Sequence, residues 1–167
     1  MKGLADPRAI LGIDPTKRGL AFVFFGGGRL LDWGTRGAMD NEIAVFEMIL
    51  NLCPADVLVL EDPDAIGSER RPQVRKLLTQ LARAAERRGL TVVKISRLDV
   101  RRAWSMRGIT RKHAVAKVIA EDYPALEVLV PRPRKPYMDE EARVQVFDAA
   151  SLVLHAFGTV EGDSRAA

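Results

Sequence analysis

Two short apolar runs that each end on an acid constrain this chain more than any other feature. The first is Ala9-Ile10-Leu11-Gly12-Ile13-Asp14-Pro15, and the second is Val57-Leu58-Val59-Leu60-Glu61-Asp62-Pro63. Runs this short and this apolar read as β-strands buried on both faces. An acid closing such a strand stands beside a core, where an unpaired charge is costly. If the two strands lie side by side and parallel, Asp14 and Glu61 meet at one edge of a sheet. Two carboxylates held together repel unless a proton or a cation sits between them. The expected occupant is a divalent metal ion.

Around these strands the chain reads as one domain spanning residues 1–167, a length that buries enough apolar surface to fold without staples. Hydrophobic residues make up 47% and charged residues 29%, which excludes a disordered polymer. Cys53 is the single cysteine, so no internal disulfide forms and a cytoplasmic location is expected. Its place after Leu52 marks it as a small buried hydrophobe. No run has the apolar length of a membrane span, and the first residues lack a signal-peptide core. The net charge is +4, with its 26 Lys and Arg sparse before Glu69 and dense from there to Lys135. Such asymmetry fits a basic face for a phosphate polymer, although charge alone favours a solvated helix surface.

The order of elements follows from local chemistry. Residues 1–8 read as a loose arm and 158–167 as a flexible polar tail. A strand at 9–14, a turn at 15–19, a strand at 20–25, a Gly26-Gly27-Gly28 hairpin and a strand at 29–35 make a three-strand antiparallel meander. The triple glycine joins two strands with no helix behind it, so it is not a phosphate loop. Asp40 or Asn41 caps a helix reaching Leu52. Pro72 opens a long helix that stops at Gly89. A fifth strand covers 90–95, and Ser96 or Asp99 caps a short helix through Trp104. Thr110 caps the next helix, Leu126 to Val130 is extended, and residues 131–136 form a stiff basic loop. Asp139 caps the last helix, which ends near Ala156.

That last helix is apolar apart from Glu141, Gln145, Asp148, Ser151 and His155. Those positions advance by four, three, three and four, which is one stripe of an α-helix. A solvated face in this chain carries arginine, as 72–88 does, whereas this stripe has none. Asp148 therefore joins Asp14 and Glu61 as a candidate site residue.

Three acids on two strands and a late helix, behind a meander, resemble the RNase H-like nuclease superfamily. Within it the chain is most similar to RuvC-type Holliday-junction resolvases. Ile10-Leu11-Gly12-Ile13-Asp14-Pro15 resembles the family's first-strand motif, and Val59-Leu60-Glu61 the strand that supplies its glutamate. Asp148-Ala149-Ala150-Ser151-Leu152-Val153-Leu154-His155 resembles its last helix, and Thr110-Arg111-Lys112-His113-Ala114-Val115 its basic helix start. The likeness runs from about residue 9 to 157. It implies an α/β fold with a five-stranded mixed sheet, the antiparallel meander plus two parallel strands, flanked by helices.

The resemblance also implies a chemistry. Asp14 would bridge two Mg²⁺ or Mn²⁺ ions, Glu61 would hold one and Asp148 the other, and the enzyme would hydrolyse phosphodiesters in branched DNA. Lys112 is placed near the cut phosphate, with Arg107, Arg111, Arg132, Arg134 and Lys135 on the nucleic-acid backbone. Gln145 stands where the family usually has Asp or His. It carries no charge, which puts the second ion in question; Asp62, Asp64, Glu140 or Glu141 could substitute. A homodimer is implied by the resemblance alone.

His113 and His155 lack zinc-spaced partners, and Trp33, Trp104 and Tyr137 read as packing residues. Rival readings are the same fold acting on structured or precursor ribosomal RNA, a non-catalytic nucleic-acid-binding module, and an actin-like sugar kinase. The last needs two such domains and a glycine after Asp14. Closed ion pairs between the acids and arginines would undo the nuclease assignment.

Overall fold

A computed structural model describes residues 4, 6–132 and 143–158. Five strands form one sheet in the order β3-β2-β1-β4-β5. They are β1 (Ile10–Thr16), β2 (Gly19–Gly26), β3 (Arg29–Gly37), β4 (Val57–Glu61) and β5 (Thr91–Ile95). β1, β2 and β3 pair antiparallel, whereas β4 runs parallel to both β1 and β5. The helices are α1 (Glu42–Leu52), α2 (Pro72–Arg87), α3 (Arg97–Met106), α4 (Lys112–Asp122) and α5 (Val144–Phe157). The mixed sheet read from the sequence is thus the observed one.

Side-chain alternation divides the core in two. Ile10, Val57, Val59, Val23 and Phe25 face α3, α4 and α5, while Leu11, Ile13, Leu58 and Leu60 face α1 and α2. Strands buried on both sides leave no room for a polar alternation, which is why β1 and β4 read as continuous apolar runs. α5 packs more extensively on β1 than on any other strand. A Cβ placed on Gly12 would stand 2.5 Å from Val153 Cγ2 and 3.0 Å from the Ala149 carbonyl oxygen. The missing side chain lets the helix descend onto the strand at the turn that carries Asp148.

Several local expectations are corrected. β1 continues through Pro15 and Thr16, because a proline near a strand end costs little of the ladder. The turn there shrinks to Lys17-Arg18. Ser96, and not Asp99, caps α3, its side chain accepting from the Asp99 amide. α4 starts at Lys112 with Arg111 in the capping position and no side-chain cap, so Thr110 plays no such part. Residues 124–129 form a 3₁₀ helix where an extended piece was expected, Pro124 supplying the fixed φ of its first turn. Within the arm 1–8, Leu4 is buried and forms an isolated antiparallel bridge with Gly158. Asp139, the expected cap of the last helix, lies outside the described residues, as do Glu140, Glu141 and Tyr137. The described helix begins at Val144.

Candidate active site

The sheet register brings the first two acids level. β1 and β4 pair Ile10 with Val57, Leu11 with Leu58 and Gly12 with Val59. The same offset carried two residues further sets Asp14 beside Glu61. Both side chains follow the parity of Gly12 and Val59, so both rise on the α5 side of the sheet. Asp14 and Glu61 are 1% and 2% exposed, the only buried carboxylates among the described residues. Asp148 projects from α5, 18% exposed, one turn ahead of the buried Ser151. The stripe on α5 is therefore not a wet face at these two positions, and among its described residues only His155 is exposed.

A cation does sit where the three acids meet, and it is a guanidinium. Arg97 donates from Nη2 to Asp14 Oδ1 at 2.7 Å and from Nε to Glu61 Oε2 at 2.9 Å. Its Nη1 stands 3.5 Å from Asp148 Oδ2, so one side chain touches all three carboxylates. Arg70 repeats the bridge, with Nη2 on Asp14 Oδ1 and Nε on Glu61 Oε2, both at 2.8 Å. Lys112 Nζ completes the ring 3.2 Å from Asp148 Oδ2. Three positive side chains thus face three negative ones.

Burial and neighbouring charge shift Asp14 and Arg97 in this cluster. Desolvation pushes the Asp14 carboxyl up to about 6, with Asp148 and Glu61 adding to the rise and Arg97 and Arg70 opposing it. Burial alone would weaken the charge on Arg97, but Asp14, Asp148 and Glu61 together hold its pKa above the ordinary arginine value. Asp14 Oδ2 is buried and has no hydrogen-bond partner. Such an orphaned oxygen is rare in a native core.

Two clefts of about 220 Å³ each flank the cluster. One is charged, bounded by Glu61, Glu69, Arg70, Arg97, Arg101 and Lys112. The other has an apolar floor of Val100, Trp104, Val115, Phe147 and Leu152 beneath Arg97, Lys112 and Asp148. Arg97, Arg101 and Lys112 belong to both walls.

The other candidate residues are placed as follows. Gln145 is half-buried on α5, one turn before Asp148. Arg107 ends α3 and stacks over Trp104 at 4.9 Å, while Arg111 and Arg132 are exposed. Arg134 and Lys135 lie outside the described residues. Asp62 accepts from the Asp64 amide and Asp64 pairs with Arg75, which makes both of them loop residues. His113 Nδ1 lies 2.6 Å from the Pro131 carbonyl oxygen, tying α4 to the following loop. Among the described residues, no cluster of His, Cys, Asp and Glu has ready-made metal geometry. No described helix is long and apolar enough to cross a membrane.

Sequence reasoning missed Arg70, Arg97 and Arg101. Arg97 is the second residue after β5, the strand beside β4, and β5 ends level with Glu61 through its pairing with Ile95. That adjacency was a usable signal. Arg70 sits in the loop 62–71, where no periodicity reports direction.

No family model and no curated protein matches the sequence. Solved structures do match. The Thermus thermophilus RuvC structure aligns with a TM-score of 0.56 at 20% identity, over 89% of this chain and 93% of that one. T. thermophilus RuvC in complex with Holliday junction substrate gives 0.60 at 19% identity over the same shares. The yeast mitochondrial Holliday junction resolvase Ydc2 gives 0.59 at 13% identity, over 89% of this chain and 77% of that one. The fold of this chain is therefore the RuvC-type RNase H-like fold.

Proposed function

We propose that this protein is a metal-dependent endonuclease that hydrolyses phosphodiester bonds in branched DNA. The observation that carries the reading is the convergence of Asp14, Glu61 and Asp148 from β1, β4 and α5 at one sheet edge. Its setting is a fold shared with RuvC and with a mitochondrial junction resolvase, one of them solved on a Holliday junction.

The donor set suits a hard divalent cation. All three ligands are carboxylates, the chemistry Mg²⁺ and Mn²⁺ prefer, and the orphaned Asp14 Oδ2 offers a lone pair no protein donor claims. Asp14 would be shared between two ions, with Glu61 holding one and Asp148 the other. When bound, such ions activate water and neutralise the leaving oxygen. Lys112, 49% exposed and already against Asp148, offers an ammonium to the phosphate beside the cut. Arg101 on α3, Arg107 just after it and Arg111 just before α4 are exposed and bind backbone without reading sequence.

The arginine pairs are the arrangement that the sequence reading sets against a nuclease, and they favour a second reading. In it the cluster is permanently closed by Arg70 and Arg97, Gln145 supplies no charge, and the protein binds junctions without cutting them. Two features keep the nuclease reading ahead. All three acids converge, and the arginines that cover them are about one-fifth exposed, at 19% and 22%, so they lie at the rim of a cleft. A cytoplasmic site of action and a homodimer matching the two symmetric strands of a junction accompany the proposal.

Incubation of a four-way junction with the protein in Mg²⁺ or Mn²⁺ decides between them. Cleavage by the wild type and none by Asp14→Asn supports the nuclease. Binding without cleavage supports the closed module, and preferential cutting of structured RNA redirects the substrate to RNA.

A further inference from the structure

The two arginines have more to do than balance charge. Arg70 spends Nε and Nη2 on the carboxylates, and its Nη1 has no partner among the described residues. Both guanidiniums form walls of the charged cleft, beside Arg101 and Lys112. Their partners Asp14 and Glu61 are sealed beneath them. A guanidinium bridging two carboxylate oxygens stands where a cation would have to stand, and like charges exclude each other there. The same planar fork also matches the two oxygens of a phosphodiester.

We infer that Arg70 and Arg97 are phosphodiester ligands held on the Asp14–Glu61 pair when the cleft is empty, so that divalent-metal binding and nucleic-acid binding are coupled through them. This rests on the nuclease reading of the site and adds to it the order of assembly. In the free protein the arginines oppose the metal. An entering phosphate backbone draws the guanidiniums outward and uncovers the carboxylates: their hydrogen bonds to Asp14 and Glu61 are exchanged for bonds to phosphate oxygens, and no covalent bond changes. By linkage, a bound metal in turn releases the arginines toward the backbone.

The test measures binding and needs no turnover. Mn²⁺ affinity is read by electron paramagnetic resonance on the nucleic-acid-free protein, for wild type, Arg70→Gln, Arg97→Gln, Arg97→Lys and Asp14→Asn. Junction affinity is read separately in chelator across a salt series. The inference predicts that each Arg→Gln variant binds Mn²⁺ about tenfold more tightly than wild type. Asp14→Asn should bind it less tightly. Each Arg→Gln variant should also lose about tenfold in junction affinity, with the salt slope shallower by about one. Arg97→Lys keeps the charge but cannot bridge two carboxylates with a fork, so its Mn²⁺ affinity falls between wild type and Arg97→Gln and keeps the test open if the glutamine variant does not fold. Unchanged or weakened Mn²⁺ binding in the arginine variants overturns the inference, and so does unchanged junction affinity. Neither result depends on cleavage, so a protein that fails to cut still reports on the arginines.

Discussion

The Arg97 guanidinium and the Asp14 carboxylate lie 2.7 Å apart across 83 residues of sequence, at the focus of every acid in the site. Asp14 is sealed on the sheet side and Arg97 covers it from the cleft side. The pair explains how three carboxylates coexist at a buried edge. It also makes the edge sensitive to any change that removes one charge and leaves the other.

Arg97→Met is expected to destabilise the protein by about 3 kcal/mol, since breaking a buried ion pair leaves an uncompensated charge. Arg70 still bridges the same two acids, which sets the loss at the lower end of that range. Combining Arg97→Met with Asp14→Asn should restore part of the loss. Urea denaturation of the four proteins gives the coupling energy, and strict additivity would show that the two side chains do not interact.

Stability should fall as pH rises from about 4 to about 6. Burial pushes the Asp14 carboxyl up to about 6 in the folded protein, against about 3.9 for an ordinary aspartate, so the folded state holds a proton that the unfolded state has already released. Over that window the folded state binds more protons, and its advantage shrinks with each step upward in pH. The contribution is on the order of 1–3 kcal/mol. Denaturation curves in chelator should show this slope in wild type and a flatter one in Asp14→Asn. Equal slopes would assign the titration elsewhere.

Gly12→Ala should cost about 1–3 kcal/mol, the usual penalty for overpacking a core. Its new methyl group would meet Val153 and the Ala149 carbonyl, forcing α5 off β1. Because Asp148 adjoins Ala149, the same variant should also weaken Mn²⁺ binding. Thermal melting and metal titration check both halves, and a variant as stable as wild type would mean that the helix yields without strain.

Lys112→Ala should leave stability within about 0.5 kcal/mol, because half-exposed ion pairs contribute little. Junction binding should weaken, and the salt slope should drop by about one, as expected for one lost phosphate contact. A slope identical to wild type would remove Lys112 from the interface.

The local elements were legible because their signals are local. Alternation and turn chemistry define the meander, a proline and a glycine bracket α2, and the apolar runs mark strands buried on both faces. Parallel pairing of β1 and β4 then follows from the acids at their ends, and the stripe on α5 adds Asp148. The cap left open between Ser96 and Asp99 and the cap misplaced at Thr110 were matters of boundary, whereas the piece read as extended from Leu126 to Val130 was an error of element.

By itself the sequence determined which residues are apolar, how they repeat along each segment, and hence the strands, the helices and three acids fit to share a site. Only the tertiary structure decided what sits among those acids. Register and helix approach are long-range quantities: the offset of β4 against β1, the contact at Gly12 that lowers α5, and the return of residues 70 and 97 to the same sheet edge. Charge in a sequence has no direction, so the arginines read as surface until packing turned them inward onto the carboxylates.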